Sequence, residues 1–252
     1  MKTFSEFFES HLTALGIKSG DHLLMYSNVS SFGSLNNKIL EIIINNTLKR
    51  IGKSGTLLMP AYTFQVNKNY IFNVKILNKN FSTSSLTKAF FKLKNLKRSN
   101  RPIHSHIGVG RKAYILNNRS NPFQSFEKNT DFDLMKKNNF KCVFLGCSPA
   151  EGGTYFLYLE HRANVKHRRK IIIKKKVLKN KKKITVNINY SERPSIKFED
   201  YNLNSAFEKI KGKLLSLRTH KLKFGISYSF KLQEFEKIVK KKLKLNQRFL
   251  LS

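Results

Sequence analysis

Two consecutive segments, KCVFLG (Lys141–Gly146) and GGTYFLYLEHRANVKHR (Gly152–Arg168), decide the fold that the sequence predicts. The first is a short apolar run typical of a buried strand, and the second opens with glycines and continues with the mixed residues of a helix. A buried strand that leads into a helix is the repeating unit of α/β proteins. Glu160 and His161 lie in this helix, and α/β enzymes place acid–base groups at this edge of the sheet. We therefore expect the chemistry of the protein to be centred on this helix.

The amino-terminal part of the chain alternates between helices and strands. Apolar residues at helical spacing predict helices over Thr3–Leu15 and Asn36–Ile51. Continuous apolar runs predict buried strands over His22–Ser27 and Gly55–Pro60. This order of elements favours an α/β fold, in which helices cover a central sheet.

The carboxyl-terminal part begins with a basic hairpin. Lys170–Leu178 and Lys183–Tyr190 are β-branched runs separated by a lysine-rich turn, which is typical of an antiparallel hairpin. A helix over Asn204–Leu217, a short strand over Leu222–Ser227 and a basic helix over Phe230–Phe249 follow. Because no repeat or clear linker interrupts the chain, we predict that residues 1–252 form a single domain.

The composition limits the class of protein. The chain has 252 residues, with 49 Lys and Arg against 15 Asp and Glu, and a formal net charge of +34. Such a charge attracts nucleic acid or an anionic membrane surface. The lysines are spread along the whole chain, however, so nucleic acid is a possible partner and the charge does not require one. The composition leaves the oligomeric state open.

Membrane and secretory classes are not favoured. No apolar run reaches the length of a membrane span, and the first residues lack the order of a signal peptide. The two cysteines, Cys142 and Cys147, give no disulfide framework. These features predict a cytoplasmic protein.

Polar residues follow the first predicted strand, at a position where α/β proteins bind ligands. Asn28–Gly33 (NVSSFG) offers hydroxyls and backbone N–H groups between a strand and a helix. Such a loop can hold a phosphate or an amide, and the alternative is an ordinary turn between two elements.

The segment Arg98–Ala113 (RSNRPIHSHIGVGRKA) is rich in turn formers and histidines. Arg98 and Ser99 suit a phosphate, or alternatively form a solvated basic stretch. His104 and His106 have the spacing of a metal-binding pair, but no third ligand is apparent, so we predict no metal site. His104 is then a ligand-binding or a structural histidine.

Five segments, in order, resemble the aminoglycoside 3-N-acetyltransferase (antibiotic N-acetyltransferase) family. They are Gly20–Gly33 (GDHLLMYSNVSSFG), Gly55–Phe64 (GTLLMPAYTF), Arg98–Ala113, Lys141–Gly146 and Thr154–Arg168. The resemblance covers most of the chain. It implies a three-layer α/β/α fold with a central, mostly parallel sheet, to which the predicted antiparallel hairpin is added.

The resemblance also implies the reaction and the residues that perform it. The implied reaction transfers an acetyl group from acetyl-CoA, as co-substrate, to an amine of an amino sugar or aminoglycoside-like small molecule. The residues implied for the cofactor are Ser27, Ser30, Ser31, Phe32, Gly33, Arg98, Ser99, Ser105 and Thr154. The catalytic candidates are Glu160, His161 and His104.

One position departs from the family's pattern at its centre. The family's motif has a threonine, a histidine three residues later and a glutamate three residues after that, and the matching positions here are Thr154, Leu157 and Glu160. Because leucine accepts no proton, we hypothesise that His161, one helical turn further on, takes the place of the histidine. The alternative is a catalytically inactive relative that binds an anionic ligand or nucleic acid through its basic surface.

Overall fold

The computed structural model describes residues 3–33, 36–63, 70–77, 84–117, 120–194 and 200–251. Within these ranges the strands are β1 (His22–Ser27), β2 (Thr56–Pro60), β3 (Ile71–Phe72), β4 (Lys97–Arg98), β5 (His106–Gly110), β6 (Lys141–Leu145), β7 (Arg169–Lys179), β8 (Lys182–Glu192), β9 (Arg218–Leu222) and β10 (Gly225–Lys231). The α-helices are α1 (Phe4–Ala14), α2 (Asn37–Ile51), α3 (Ser85–Phe90), α4 (Asp131–Lys137), α5 (Pro149–Gly152), α6 (Thr154–Ala163), α7 (Leu203–Lys211) and α8 (Leu232–Leu245).

The central sheet has seven strands in the order β4-β5-β2-β1-β6-β10-β9. Strand β1 pairs in parallel with β2 and β6, whereas the outer neighbours pair antiparallel. The sheet is therefore mixed, and the parallel strands that the sequence predicts are confined to its centre. Antiparallel pairing at one edge follows from the short connection between β9 and β10, since only antiparallel neighbours can be joined by a tight turn. The predicted α/β class is confirmed.

Alternate residues of β1 face two different hydrophobic layers. Leu23 and Met25 pack with α1, α2 and α3 on one face of the sheet. Leu24 and Tyr26 pack with α4, α6, α7 and α8 on the other face. Successive side chains of a strand point to opposite faces, so a strand that is covered on both sides has a continuous apolar sequence. This arrangement confirms the three layers.

A second sheet lies outside these layers. Strands β7 and β8 form the predicted antiparallel hairpin, and β3 adds in parallel to β7. The inner side of the hairpin, which includes Val177, Val186 and Ile188, packs on Phe72 and Ile103. Burial of these apolar side chains attaches the lysine-rich hairpin to the rest of the molecule.

The structure corrects two local predictions. The single strand expected over Leu222–Ser227 is the turn region of a hairpin, formed by the end of β9, residues 223 and 224, and the start of β10. The turn-rich segment Arg98–Ala113 contains β5 and the end of β4. The long loop expected over Ala61–Phe81 lies partly outside the described residues. The single-domain assignment stays a prediction.

Gly146, directly after β6, lies against the loop that follows β1. Its φ of +66° is in the left-handed region, and a Cβ there would lie 2.6 Å from the Asn28 carbonyl oxygen and 2.8 Å from Ser31 Cβ. The Ser31 hydroxyl also donates a hydrogen bond to the Gly146 carbonyl oxygen. Only glycine fits this contact without strain.

We expect Gly146→Ala to lower the free energy of unfolding by about 1–3 kcal/mol, because it adds backbone strain and a steric clash. Urea denaturation measures this loss. The matched control is Gly212→Ala, since Gly212 has a φ of −65° and a Cβ there meets nothing within 4 Å. The control should change stability by no more than about 1 kcal/mol. Equal losses in the two variants would contradict the steric explanation.

Candidate active site

A cavity of about 880 Å³ lies at the carboxyl ends of the three central parallel strands. Ser27 ends β1, Pro60 ends β2, and Cys147 follows β6, and all three line the cavity. Ligands of open α/β sheets bind in the crevice at this edge, because the loops after parallel strands meet there. The position of the cavity therefore follows from the parallel pairing of β1 with its two neighbours.

The loop after β1 lines one side of the cavity with hydroxyl groups. Ser27 and Ser30 both contribute to the lining. The Ser27 hydroxyl lies 2.9 Å from the Ser84 hydroxyl, which caps α3 by accepting from the Thr87 backbone N–H. The Ser30 hydroxyl donates to Asn28 Oδ1 at 2.5 Å. These hydroxyls are already held in place by protein contacts.

Helix α6 lines the opposite side with Thr154 and Leu157. The two residues are three positions apart and therefore lie on the same face of the helix. This chain has Leu157 where the motif described above has a histidine. The Leu157 side chain faces the cavity. Glu160, one turn further along, is fully buried and does not line the cavity.

The Glu160 carboxylate lies behind the cavity lining and is surrounded by donors. It accepts from His167 Nε2 at 2.9 Å, from Arg168 Nε at 2.7 Å and from the Tyr201 hydroxyl at 2.8 Å. Burial alone would raise the pKa of Glu160, but His167, Arg168 and Tyr201 hold it below the ordinary value. Two of these donors, Arg168 and Tyr201, line the cavity. Glu160 thus holds these two lining residues in place through a carboxylate that accepts from three donors.

His104 lines the cavity between two aromatic rings. Its ring is stacked on Phe126 at a centroid distance of 4.7 Å and lies edge-on to Tyr62 at 5.3 Å. Burial, with smaller contributions from His106 and Arg168, lowers the pKa of His104 to about 3. The imidazole is therefore neutral at neutral pH, so that it can donate from one nitrogen and accept at the other.

His161 does not occupy the place expected for it. Its Nε2 lies 3.4 Å from Glu127 Oε1, its ring packs on Phe126 at 5.7 Å, and it is absent from the cavity lining. Leu157 and His161 share a helical face only approximately, since four residues advance the helix by slightly more than one turn. The structure brings Leu157 to the cavity and places His161 beside the aromatic core.

Three residues of the loop after β1 also face away from the cavity. Ser31 is buried against Gly146, as described above, and Gly33 ends the short 3-10 turn with a φ of +100°. Phe32 packs edge-on against Phe8 and His11 in the helical layer. The Ser31 and Phe32 side chains hold the loop against the strand and the helices, while Ser27 and Ser30 line the cavity.

The residues proposed for phosphate contacts are buried structural groups. Arg98 donates to Ser105 Oγ at 3.1 Å and to the carbonyl oxygens of Ile76 and Ala61 at 2.7 and 3.0 Å. Ser105 donates to the same Ala61 carbonyl at 2.5 Å. Ser99 donates to Asp131 Oδ2 at 2.6 Å. None of the three lines the cavity among the described residues, because their polar atoms are used to hold neighbouring loops together.

The structure also adds residues that the sequence did not single out. Tyr62 follows the carboxyl end of β2 and lines the cavity, as do Tyr190, Arg193 and Tyr201 from the hairpin and the segment after it. The signal for Tyr62 is its position directly after a buried parallel strand. The other three come from segments distant in sequence, and no local pattern indicates them.

Within the described ranges, no group of three or more His, Cys, Asp or Glu side chains is arranged to hold a metal ion. In the same part of the chain, no helix is both long enough and apolar enough to cross a membrane.

The sequence matches the model of a known protein family. The family model described as aminoglycoside 3-N-acetyltransferase matches residues 24–244. No curated protein sequence matches significantly.

Several solved structures have the same fold. The YokD protein from Bacillus subtilis is 18% identical, with 96% of this chain and 99% of that chain covered and a TM-score of 0.79. The aminoglycoside acetyltransferase AAC(3)-IVa, in complex with gentamicin, is 18% identical, with coverage of 98% and 91% and a TM-score of 0.79. AAC-IIIb with CoASH is 16% identical, with coverage of 96% for both chains and a TM-score of 0.82.

We expect Glu160→Gln to lower the free energy of unfolding at pH 7 by about 3–5 kcal/mol, because it leaves Arg168 buried without its carboxylate. The folded-state pKa of Glu160 is lowered, so its stabilising contribution is present above the ordinary value of 4.5 and is lost as the pH falls through the folded-state value. The difference between the two proteins should therefore shrink in acid. Denaturant unfolding at several pH values measures it.

The matched control for this prediction is Glu192→Gln. Glu192 pairs with Arg169, whose side chain is 64% exposed. Loss of such a surface pair changes stability by less than about 1 kcal/mol. If Glu160→Gln were as mild as this control, the carboxylate would not be the centre of the network.

Proposed function

The chain belongs to the aminoglycoside 3-N-acetyltransferase family, since the family model matches most of its length, and from this membership we propose that it transfers an acetyl group from acetyl-CoA to an amine of an amino sugar. The observation that carries the proposal is the cavity at the ends of the parallel strands. Its volume of about 880 Å³ is in the range of small-molecule sites. Its lining combines apolar surface with a few polar groups, as an acyl-transfer site requires. Because Cys142 and Cys147 are free thiols, we place the reaction in the cytoplasm.

We assign the two reacting molecules to different sides of the cavity. Ser27 and Ser30 are the hydroxyls that suit the amides of the pantetheine arm of acetyl-CoA. Thr154 and the neutral His104 are the donors that suit the thioester oxygen, on which negative charge develops as the amine attacks. Preorganised donors of this kind stabilise such charge without having to reorient. Arg168 and Arg193 lie towards the hairpin, where the acceptor would bind.

The charges around the cavity favour an anionic acceptor over a polycationic one. Arg168 and Arg193 line it, and the one carboxylate among the described lining residues, Glu151, is occupied by Asn28 Nδ2 and by the Ser148 backbone N–H. The net charge of +34 also repels a polycation, and at physiological salt this repulsion extends over a screening length of about 8 Å. We therefore propose an amino sugar that carries phosphate, such as a nucleotide-linked one, as the acceptor.

A second function is favoured by one specific residue. Leu157 faces the cavity, where the family's motif has an imidazole, and a leucine transfers no proton. Under this alternative the protein is inactive and binds an anionic ligand or nucleic acid through its basic surface. Ligand binding and turnover separate the two functions.

We expect acetyl-CoA at about 100 times its dissociation constant to raise the melting temperature by about 5–10 °C, because a ligand bound only by the folded state adds about 2.7 kcal/mol of stability. Differential scanning fluorimetry measures this shift. A coupled assay for free CoA thiol should show turnover with a UDP-linked amino sugar and less with gentamicin. No shift with millimolar acetyl-CoA, together with tight and salt-sensitive RNA binding, would favour the inactive alternative.

His104→Phe should lower kcat by about 100-fold, because it keeps a flat ring but removes a preorganised donor from the cavity, while the KM for acetyl-CoA changes little. Steady-state kinetics measures both constants. The control is His22→Phe, since His22 begins β1 at the end opposite to the cavity. The control should keep its kcat. Comparable losses in the two variants would assign His104 a structural role.

A further inference from the structure

A buried chain of three side chains ends at the cavity. His106 Nδ1 lies 2.9 Å from Asp131 Oδ2, and His106 Nε2 lies 3.3 Å from the Tyr62 phenolic oxygen. Asp131 and His106 are fully buried, whereas Tyr62 lines the cavity. Tyr62 and Thr154, the residue at the start of α6, line the same cavity. The chain thus connects an interior carboxylate with the proposed reaction centre.

The ionisation of Asp131 fixes the tautomer of His106. Arg101 Nε donates to Asp131 Oδ1 at 2.5 Å, and the Ser99 hydroxyl donates to Oδ2 at 2.6 Å. Burial alone would raise the pKa of Asp131, but Arg101, His106 and Ser99 hold it below the ordinary value. An ionised carboxylate only accepts hydrogen bonds, so His106 carries a proton on Nδ1, the nitrogen that faces Asp131. With that proton in place, the uncharged form of the ring has its lone pair on Nε2, which faces Tyr62.

This tautomer sets the direction of the hydrogen bonds around Tyr62. The Tyr62 hydroxyl donates to His106 Nε2, and its oxygen accepts from the Tyr26 hydroxyl at 3.3 Å. Burial raises the pKa of Tyr62, so the phenol keeps its proton and is not a base by itself. It can accept a proton only while it passes its own to a neighbour, and His106 Nε2 is in place to take it.

We propose that Tyr62 takes the proton of the acceptor amine and that His106 and Asp131 are the positioning residues that receive and stabilise the proton Tyr62 gives up. The proposal rests on the acetyl-transfer function proposed above. His104 also lines the cavity, but its pKa of about 3 makes it a weak base, and it is assigned above to the thioester oxygen. Leu157 has no basic atom, and neither Glu160 nor His161 lines the cavity.

The proton movements balance over the whole reaction. As the nitrogen of the neutral amine bonds to the carbonyl carbon of the thioester, its proton passes to the Tyr62 oxygen and the Tyr62 proton passes to His106 Nε2. The C–S bond breaks with its electron pair on sulfur. The same two transfers in reverse then deliver a proton to the thiolate. The products are the amide and CoA thiol, and Tyr62 and His106 return to their starting states.

The first test is Tyr62→Phe, which removes the hydroxyl and keeps the ring. We expect kcat for a UDP-linked amino sugar to fall by about 100-fold or more, as is usual for loss of an acid–base group. The melting-temperature shift with acetyl-CoA should equal that of the unsubstituted protein, because the ring and the serine hydroxyls remain. The matched control is Tyr155→Phe, a fully buried phenol that donates to Glu236 Oε2 at 2.9 Å outside the cavity lining. It should keep its kcat.

The second test uses the unsubstituted protein and His106→Gln. Because two protons move together, the solvent deuterium isotope effect on kcat should give a curved proton inventory, and His106→Gln should lower kcat without changing the KM for acetyl-CoA. A linear proton inventory would overturn the relay, that is, the coupled transfer from the amine to Tyr62 and from Tyr62 to His106, even if Tyr62→Phe failed to fold.

The outcomes for the relay and for the proposed function can be told apart. If Tyr62→Phe binds acetyl-CoA and keeps kcat within about threefold of the unsubstituted protein, the relay is wrong while the acetyltransferase function stands. If the unsubstituted protein releases no CoA thiol with either the UDP-linked amino sugar or gentamicin, both proposals are overturned.

Discussion

Strand β1 is hydrogen-bonded along both edges and covered on both faces, and the rest of the molecule is arranged around that constraint. Its two neighbours, β2 and β6, run parallel to it, so the carboxyl ends of all three strands meet at one edge of the sheet. A buried parallel strand needs a helical layer on each side, which the amino-terminal and carboxyl-terminal helices provide. The crevice at the strand ends is a geometric result of this pairing.

The parts of the fold that were predicted from the sequence are those in which burial imposes a local pattern. The apolar runs of β1, β2 and β6 are unbroken because both of their faces are covered, and the hairpin of β7 and β8 is marked by its basic turn. The outer strands carry weaker patterns. Leu222, Phe224 and Ile226 alternate like a single strand, yet Phe224 lies in a turn and is 60% exposed. In β5, His106 and the glycines interrupt the apolar run, so the segment resembles a loop.

The residues of the candidate site also divide into those that a local sequence pattern indicates and those that only the folded structure brings together. Ser27 ends β1, Ser30 follows it, His104 precedes β5 and Thr154 begins α6, and all four line the cavity. In the sequence, Glu160 is recognisable as a carboxylate among apolar neighbours. Its hydrogen-bond partner Tyr201 is 41 residues away and is not indicated by the local sequence. In the same way, His106 and Asp131 are 25 residues apart and meet only in the folded protein. A local pattern identifies a polar residue in an apolar segment, whereas the contact that defines its role depends on the tertiary structure.

The inward position of several acidic side chains has a consequence for the whole molecule in solution. Asp131, Glu160 and Glu236 are almost completely buried and are bound by interior donors, so they do little to offset the lysines on the surface. With 15 acidic residues against 49 basic ones, the exterior carries a dense cloud of mobile counter-anions. Copies of the protein therefore repel one another in dilute salt, and phosphorylated metabolites are enriched near its surface before any of them enters the cavity.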